Sequence, residues 1–220
     1  MKRITKDLSY REKVYEELKI AITEQVLLPG SVLNERKIAE QLSVSRTPVR
    51  EAMQMLETEG WVTILPRRGF FVNPITIEEV QEICEARRCI ECFIVKEIAS
   101  KISDEHLQIV MGIFQQQKQL ISDIDQKKYA HFDSEFHMFF GKLLGNKSLI
   151  RWQYGLREKT ERISMYVASW GNIFEKTIEE HQNIICALQG NDAKRAVEAM
   201  RDHLTKSEQR IVGFLKNKRN

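Results

Sequence analysis

The sequence predicts a mainly α protein in two domains: a winged helix-turn-helix domain over residues 1–74 and an all-helical bundle of about six helices over residues 75–220. Three observations lead there. First, Ile38, Ala39 and Leu42, then Val49, Ala52, Met53 and Leu56, mark two short amphipathic helices either side of the turn-forming Ser43-Val44-Ser45. Second, the β-prone runs Trp61–Leu65 and Phe70–Val72 flank Pro66-Arg67-Arg68-Gly69, a hairpin with a basic tip. Third, beyond Asn73-Pro74 apolar residues recur at helical spacing with no strand pattern among them.

Taken in order, residues 1–9 are polar and loose. Val14, Leu18 and Ile22 predict a helix from Tyr10 to Val26, stopped by Pro29-Gly30. Asn34 is placed to cap the next helix. The Ser43–Ser45 turn supplies the cap of the one after, which carries Pro48 in its first turn, where a missing N–H costs nothing. Arg46 and Arg50 lie one turn apart, on a face other than that of Val49, Met53 and Leu56. Two arginines with the hydroxyls of Ser45 and Thr47 at an exposed helix start suit phosphates and base edges in a major groove.

In the second half, Thr76-Ile77-Glu78-Glu79 reads as a capping box that opens a helix to about Lys101. Ser103 caps the next, which runs to about Ile124. Three more are expected over about Lys127–Leu144, Lys147–Trp170 and Phe174–Gln189, parted by Gly145-Asn146 and Gly171-Asn172. Asp192 caps the last, which enters a basic tail. Such helices form a bundle with room for a central cavity.

Over 220 residues, 42% hydrophobic and 30% charged content describe an ordinary globular chain with a net charge of +3. So small a bulk charge means that nucleic-acid affinity has to come from charge placed at the helix start and the hairpin tip. No apolar segment follows Lys2 and Arg3, and nowhere do about 18 apolar residues run together, so the expectation is a cytoplasmic chain with no membrane span. Cys89 and Cys92 form a C-x-x-C, but within a helix, with no second pair and no βαβ unit. They are read, with Cys84 and Cys186, as small apolar side chains.

Asp133 and His137 lie one turn apart beside an apolar face of Phe132, Phe136, Phe139 and Phe140. His181 lines up with Ile178, Ile185 and Leu188, and His203 with Met200 and Leu204. Three histidines and a carboxylate facing one core can converge on a metal ion. Imidazole suits zinc, nickel, iron or copper, and the carboxylate admits manganese. Equally, each histidine can be a hydrogen-bonded core residue and Asp133 an acceptor of a backbone N–H; spacing leaves both open. Arg87 shares a face with Ile83, Ile90 and Ile94, so it points inward and needs a partner, either Glu91 one turn along or the carboxylate of a bound molecule.

SRTPVREAM at 45–53, LETEGWV at 56–62 and RRGFFV at 67–72 resemble the winged-helix domain of GntR-type transcriptional regulators. That resemblance covers about residues 10–74. It implies DNA contacts at Arg36, Ser45, Arg46, Thr47, Arg50, Arg67, Arg68 and Gly69. Ser43 stands where the family usually has glycine. EICEARRCIE at 82–91, DSEFH at 133–137, EHQNIICAL at 180–188, GNDAKRAVEAM at 190–200 and then His203 resemble the FCD ligand-binding domain of the FadR subfamily. Six helices suit its shorter variant.

This second resemblance implies a divalent metal on Asp133, His137, His181 and His203, with zinc first and nickel, manganese or iron as alternatives. It also implies a small organic acid on Arg87. Together the two imply a homodimeric repressor on an inverted-repeat operator, controlled by its effector, and no enzyme. A metalloenzyme, in which the open metal would activate water, lacks an obvious general base and leaves the DNA-reading head without purpose. A constitutive DNA binder with an inert bundle is a further alternative, marked by DNA affinity that no metabolite changes.

Overall fold

The computed structural model describes residues 9–120, 125–167 and 173–218. The chain divides into two compact units, Met1–Ile75 and Thr76–Asn220, each with its own apolar core. It is mainly α with one small sheet.

The first unit runs α1 (Tyr10–Thr23), β1 (Val32–Leu33), α2 (Glu35–Gln41), α3 (Arg46–Thr58), β2 (Val62–Leu65) and β3 (Gly69–Val72). Ser9 and Glu12 close a reciprocal capping box at the start of α1. That helix ends at Thr23 rather than the expected Val26. Gln25 turns left-handed at φ 60°, and the Leu27 N–H folds back onto the Ala21 carbonyl. The hairpin pairs Val62 with Val72 through to Leu65 with Gly69. A third strand, β1, pairs antiparallel with the other side of β3, Leu33 against Phe70. No sequence pattern announces β1, because two residues carry no period. Val14, Leu18, Ile22, Val49, Met53, Leu56, Trp61 and Val72 form the core. In the turn before α3, Ser43 adopts φ 54°, the left-handed region that glycine enters without strain.

The second unit runs α4 (Ile77–Ile98), α5 (Asp104–Gln119), α6 (Gln126–Leu144), α7 (Lys147–Val167), α8 (Ile173–Gln189) and α9 (Ala193–Lys218). Side chains cap several starts: Thr76 accepts from the Glu79 N–H, Ser103 from His106 and Asp125 from Lys128. α4 ends three residues short of Lys101. The loose start over residues 1–8, the expected helix ends at Ile124 and Trp170, the Gly171-Asn172 break and the last two residues lie outside the described residues. α9 packs along α4 and α8, and α6 against α4, α5 and α7. Ile94, Ile98, Phe114, Phe136, Phe140, Ile184, Leu188, Met200 and Leu204 build the core. Phe132 and Phe139, expected to face inward with Phe136 and Phe140, are only partly buried, since four phenylalanines over two turns span more arc than the core-facing stripe. Among the described residues no helix is long and apolar enough to cross a membrane.

Candidate metal centre and nucleic-acid face

Three helices bring three histidines together. His137 comes from α6, His181 from α8 and His203 from α9. One ring nitrogen of each lies within 4.8 Å of the others, and all three are buried. Apolar neighbours face inward by helical period, and each histidine rides in that stripe. Phe136 stacks on the His181 ring at 4.0 Å.

The outer nitrogen of each ring is occupied. His137 Nδ1 lies 2.5 Å from a Glu91 carboxylate oxygen, and His203 Nδ1 lies 3.0 Å from Glu180. A carboxylate only accepts, so both Nδ1 atoms carry the proton. His181 Nδ1 lies 2.9 Å from Gln117 Oε1. The same amide donates through Nε2 to Asp133 Oδ1 at 3.2 Å, which fixes its orientation and makes His181 the donor. Each Nε2 therefore offers a lone pair. That of His181 is buried, has no hydrogen-bond partner, and lies 3.7 Å from Asp133 Oδ1, a second acceptor. Two acceptors facing each other away from water repel unless a cation joins them.

The electrostatics agree. Burial pushes His137 down to about 4, with Arg157 and Arg87 adding to it and Glu91 opposing. Burial also holds His181 well below the ordinary imidazole range, with His203 adding to it. The histidines with shifted values are thus neutral at pH 7, the form that binds metal. Burial alone would raise Asp133, but the Arg157 guanidinium together with His137, His181 and His203 outweighs it and holds the carboxyl well below its usual range. Glu180 is likewise held down, to about 2, by Arg210 and His203 against burial.

Asp133 reaches His181 with one oxygen and gives the other to Arg157 Nη2. Arg87 is buried and donates through Nε to Glu91 at 2.7 Å, the intramolecular partner that the sequence allowed. Its Nη2 lies 3.5 Å from His137 Nε2. Arg87, Asp133 and His203 also line a cavity of about 50 Å³, with Thr160, Ser164 and Ser207 among its other walls. The site rests on a close helix approach as well. Gln153 of α7 donates to the His137 carbonyl at 2.9 Å. A Cβ at Gly141 of α6 would meet its Oε1 at 2.0 Å.

In the first unit, the residues expected at a nucleic-acid face are exposed: Arg36, Ser45, Arg46, Thr47 and Arg50 on α2 and α3, Arg67, Arg68 and Gly69 at the hairpin tip. Ser45 stands at the N-cap of α3 without a side-chain cap bond. Arg36 pairs loosely with Glu40 at 3.8 Å. Arg46 and Arg50 are not free-standing. Arg50 grips Glu35 with two N–H groups at 2.9 and 3.1 Å, and Arg46 adds a third contact at 3.1 Å. Glu35 thus presents both guanidinium groups in fixed positions.

Sequence reading missed Glu35, Gln117, Arg157, Glu180 and Arg210. One signal was available. Gln153, Arg157, Thr160, Ser164 and Val167 recur at helical spacing, a largely polar stripe that faces inward on α7.

Residues 10–72 match the bacterial regulatory proteins, gntR family, and residues 82–206 match the FCD domain. The HTH-type transcriptional repressor RspR of Escherichia coli (strain K12) is 26% identical over 193 residues, 88% of this chain and 85% of that protein. The gluconate operon transcriptional repressor of Bacillus licheniformis is 25% identical over 181 residues, 80% of this chain and 74% of that one. In fold, a Rhodococcus sp. RHA1 protein described as a GntR transcriptional regulator is similar with a TM-score of 0.81 at 24% identity. The match covers 94% of this chain and 99% of that one. These relatives are transcriptional regulators and not enzymes. With an FCD match over more than half its length behind a gntR-type head, the chain belongs to the GntR family of bacterial transcriptional regulators, in the branch that carries an FCD domain.

Proposed function

We propose that this DNA-binding regulator is a repressor whose operator affinity is lowered by a small organic acid bound beside a divalent metal ion in the second unit. The observation that carries the reading is the buried, partnerless His181 Nε2 facing Asp133 Oδ1. His137, His181 and His203 through Nε2, with Asp133 Oδ1, are a donor set that fits zinc, and also nickel, manganese or iron. Bound there, the ion supplies an open Lewis-acidic position for a carboxylate oxygen. Glu91, Glu180 and Gln117 hold the imidazoles in the metal-binding tautomer. Arg87 gives the acid a cationic wall. Glu91 occupies its Nε, so the remaining guanidinium edge is what it has to offer.

On the DNA side, Arg46 and Arg50 with Ser45 and Thr47 read the major groove, while Arg36, Arg67, Arg68 and the Gly69 backbone hold phosphates. A homodimer places two such heads on an inverted repeat. The test is native mass spectrometry of the purified chain, followed by mobility shifts on its own upstream DNA with and without a panel of small organic acids. A metal-free dimer whose DNA affinity no acid changes would sink the reading.

A further inference from the structure

A carboxylate stands among the cations and hydroxyls of the exposed helix start. Glu35 lies in the first turn of α2, behind the Asn34 cap, and the turn that follows α2 brings the start of α3 beside it. An acid on a surface that meets a polyanion is a cost by itself, because it repels phosphates and cancels one of two neighbouring cations. Glu35 is not a solvated surface acid either. Its side chain is 12% exposed, against 64% for Arg46 and 60% for Arg50, so it lies beneath the two guanidinium groups.

The two arginines hold it unequally. Arg50 spans both oxygens, Nε to Oε1 at 2.9 Å and Nη2 to Oε2 at 3.1 Å, while Arg46 reaches only Oε2, through Nη2 at 3.1 Å. Hydrogen bonds from Arg50 and then Arg46 outweigh the slight burial and hold the Glu35 carboxyl below its usual range, so the clamp is charged at neutral pH. A guanidinium is a rigid planar fork. With the Nε side of Arg50 taken, the edge left for an outside partner is Nη1–Nη2. Two N–H groups on that edge match the paired O6 and N7 acceptors of guanine in a major groove.

A phosphate makes a different demand. It accepts from any edge of the fork and carries no sequence information. To meet it through the Nε side, Arg50 has to release Glu35 and leave a carboxylate beside the DNA backbone. A base contact through Nη1–Nη2 needs no such release. The acid therefore burdens binding to phosphate alone more than binding to bases, and it fixes a long side chain before DNA arrives.

From this geometry we infer that Glu35 is a positioning residue for base readout: it aims Arg50, and less tightly Arg46, at the bases and penalises contacts to phosphate alone. Sequence preference then depends on an acid that itself touches no base. This inference rests on the proposed place of Arg46 and Arg50 in the major groove and adds what directs them there.

Binding-site selection tests it. Full-length wild type, Arg50→Lys and Glu35→Gln each select duplexes from one randomised library. The affinity of each protein for the duplex that wild type selects is then divided by its affinity for unselected duplex of equal length. Glu35→Gln is expected to lower that ratio by about tenfold, with unselected duplex bound more tightly than by wild type. Its base preference should be lost at the positions where Arg50→Lys loses it and kept at the others, with the thermal midpoint unchanged. An unchanged ratio overturns the inference. So does an even loss of preference at every position, which would mean that Glu35 only holds the head together. If Arg50→Lys keeps the wild-type preferences, the proposed groove contact of Arg50 fails and this inference fails with it.

Discussion

Arginines do opposite work in the two units. Arg46 and Arg50 in the head share one acid, Glu35, and remain 64% and 60% exposed. Arg87 and Arg157 in the bundle each hold their own acid and are 2% exposed. In the head, water screens the pairs, so they bind weakly and can be traded for phosphate. In the bundle the same guanidinium–carboxylate contact is enclosed, and losing either member strands a charge. The head offers charge to an outside partner, whereas the bundle locks its charge inward to orient other groups.

That contrast breaks first, and hardest, at Glu91. Glu91→Ala leaves Arg87 buried without its acid and is expected to cost about 3–5 kcal/mol of stability, read from denaturant midpoints at constant slope. A loss under about 1 kcal/mol would show that water reaches the pair and that the two units do not differ.

The next largest effect is on metal. Elemental analysis is expected to find about one divalent ion per chain, and His181→Ala with His203→Ala to remove it, since His137 and Asp133 alone make a poor site. The stabilisation by added metal, about 2.7 kcal/mol at a hundredfold excess over its dissociation constant, goes with it. Full metal content in the double variant would place the ion elsewhere.

On the head, Arg50→Ala is expected to weaken specific operator binding about tenfold or more with no change in thermal midpoint. Removing Arg67 and Arg68 together should flatten the dependence of binding on salt by about two counterions. Operator affinity that survives both changes would put the DNA face elsewhere.

Glu35→Gln sharpens the comparison with a smaller effect. Stability should change by no more than about 1 kcal/mol, while non-specific DNA binding tightens because two arginines lose their tether. A loss as large as that of Glu91→Ala would erase the distinction.

The smallest expected effect is one of pH. Burial would raise the Glu59 carboxyl, but Tyr15 at 2.7 Å, with Lys19 and Trp61, outweighs it and holds the group below 4.5. A depressed carboxyl stabilises the fold above its unfolded value and loses that contribution as pH falls through the folded one. The difference in melting temperature between wild type and Glu59→Gln should therefore shrink as pH is lowered from about 7 to about 3. A constant difference would mean that Glu59 acts through packing alone.

How much of this was legible follows from the same physics. The helices from α2 onward announce themselves by apolar stripes and caps such as Asn34 and Thr76. β1 does not, because Val32 and Leu33 become a strand only when Phe70 and Phe71 lie alongside. The early end of α1 depends on Gln25 adopting a conformation that no composition signals. The histidine trio could be anticipated because each member sits within an apolar stripe. Arg157 could have been placed inward only through the polar stripe of α7, and Gln117 and Glu180 not at all, since a polar residue beside polar neighbours reads as surface until another helix covers it. Arg87 was expected inward, but its choice between Glu91 and an outside acid needed coordinates.

Gly141 carries a consequence for how this domain can vary. Its missing Cβ is the space that Gln153 Oε1 occupies while the other end of that amide holds the His137 carbonyl. Position 141 thus keeps the space for the Gln153 amide beside the turn that carries His137, a contact that a single methyl group would displace. In a saturation library scored for metal retention, alanine at 141 should fail in the parent background. It should recover when position 153 is shortened at the same time, a paired tolerance that single-site scans would miss.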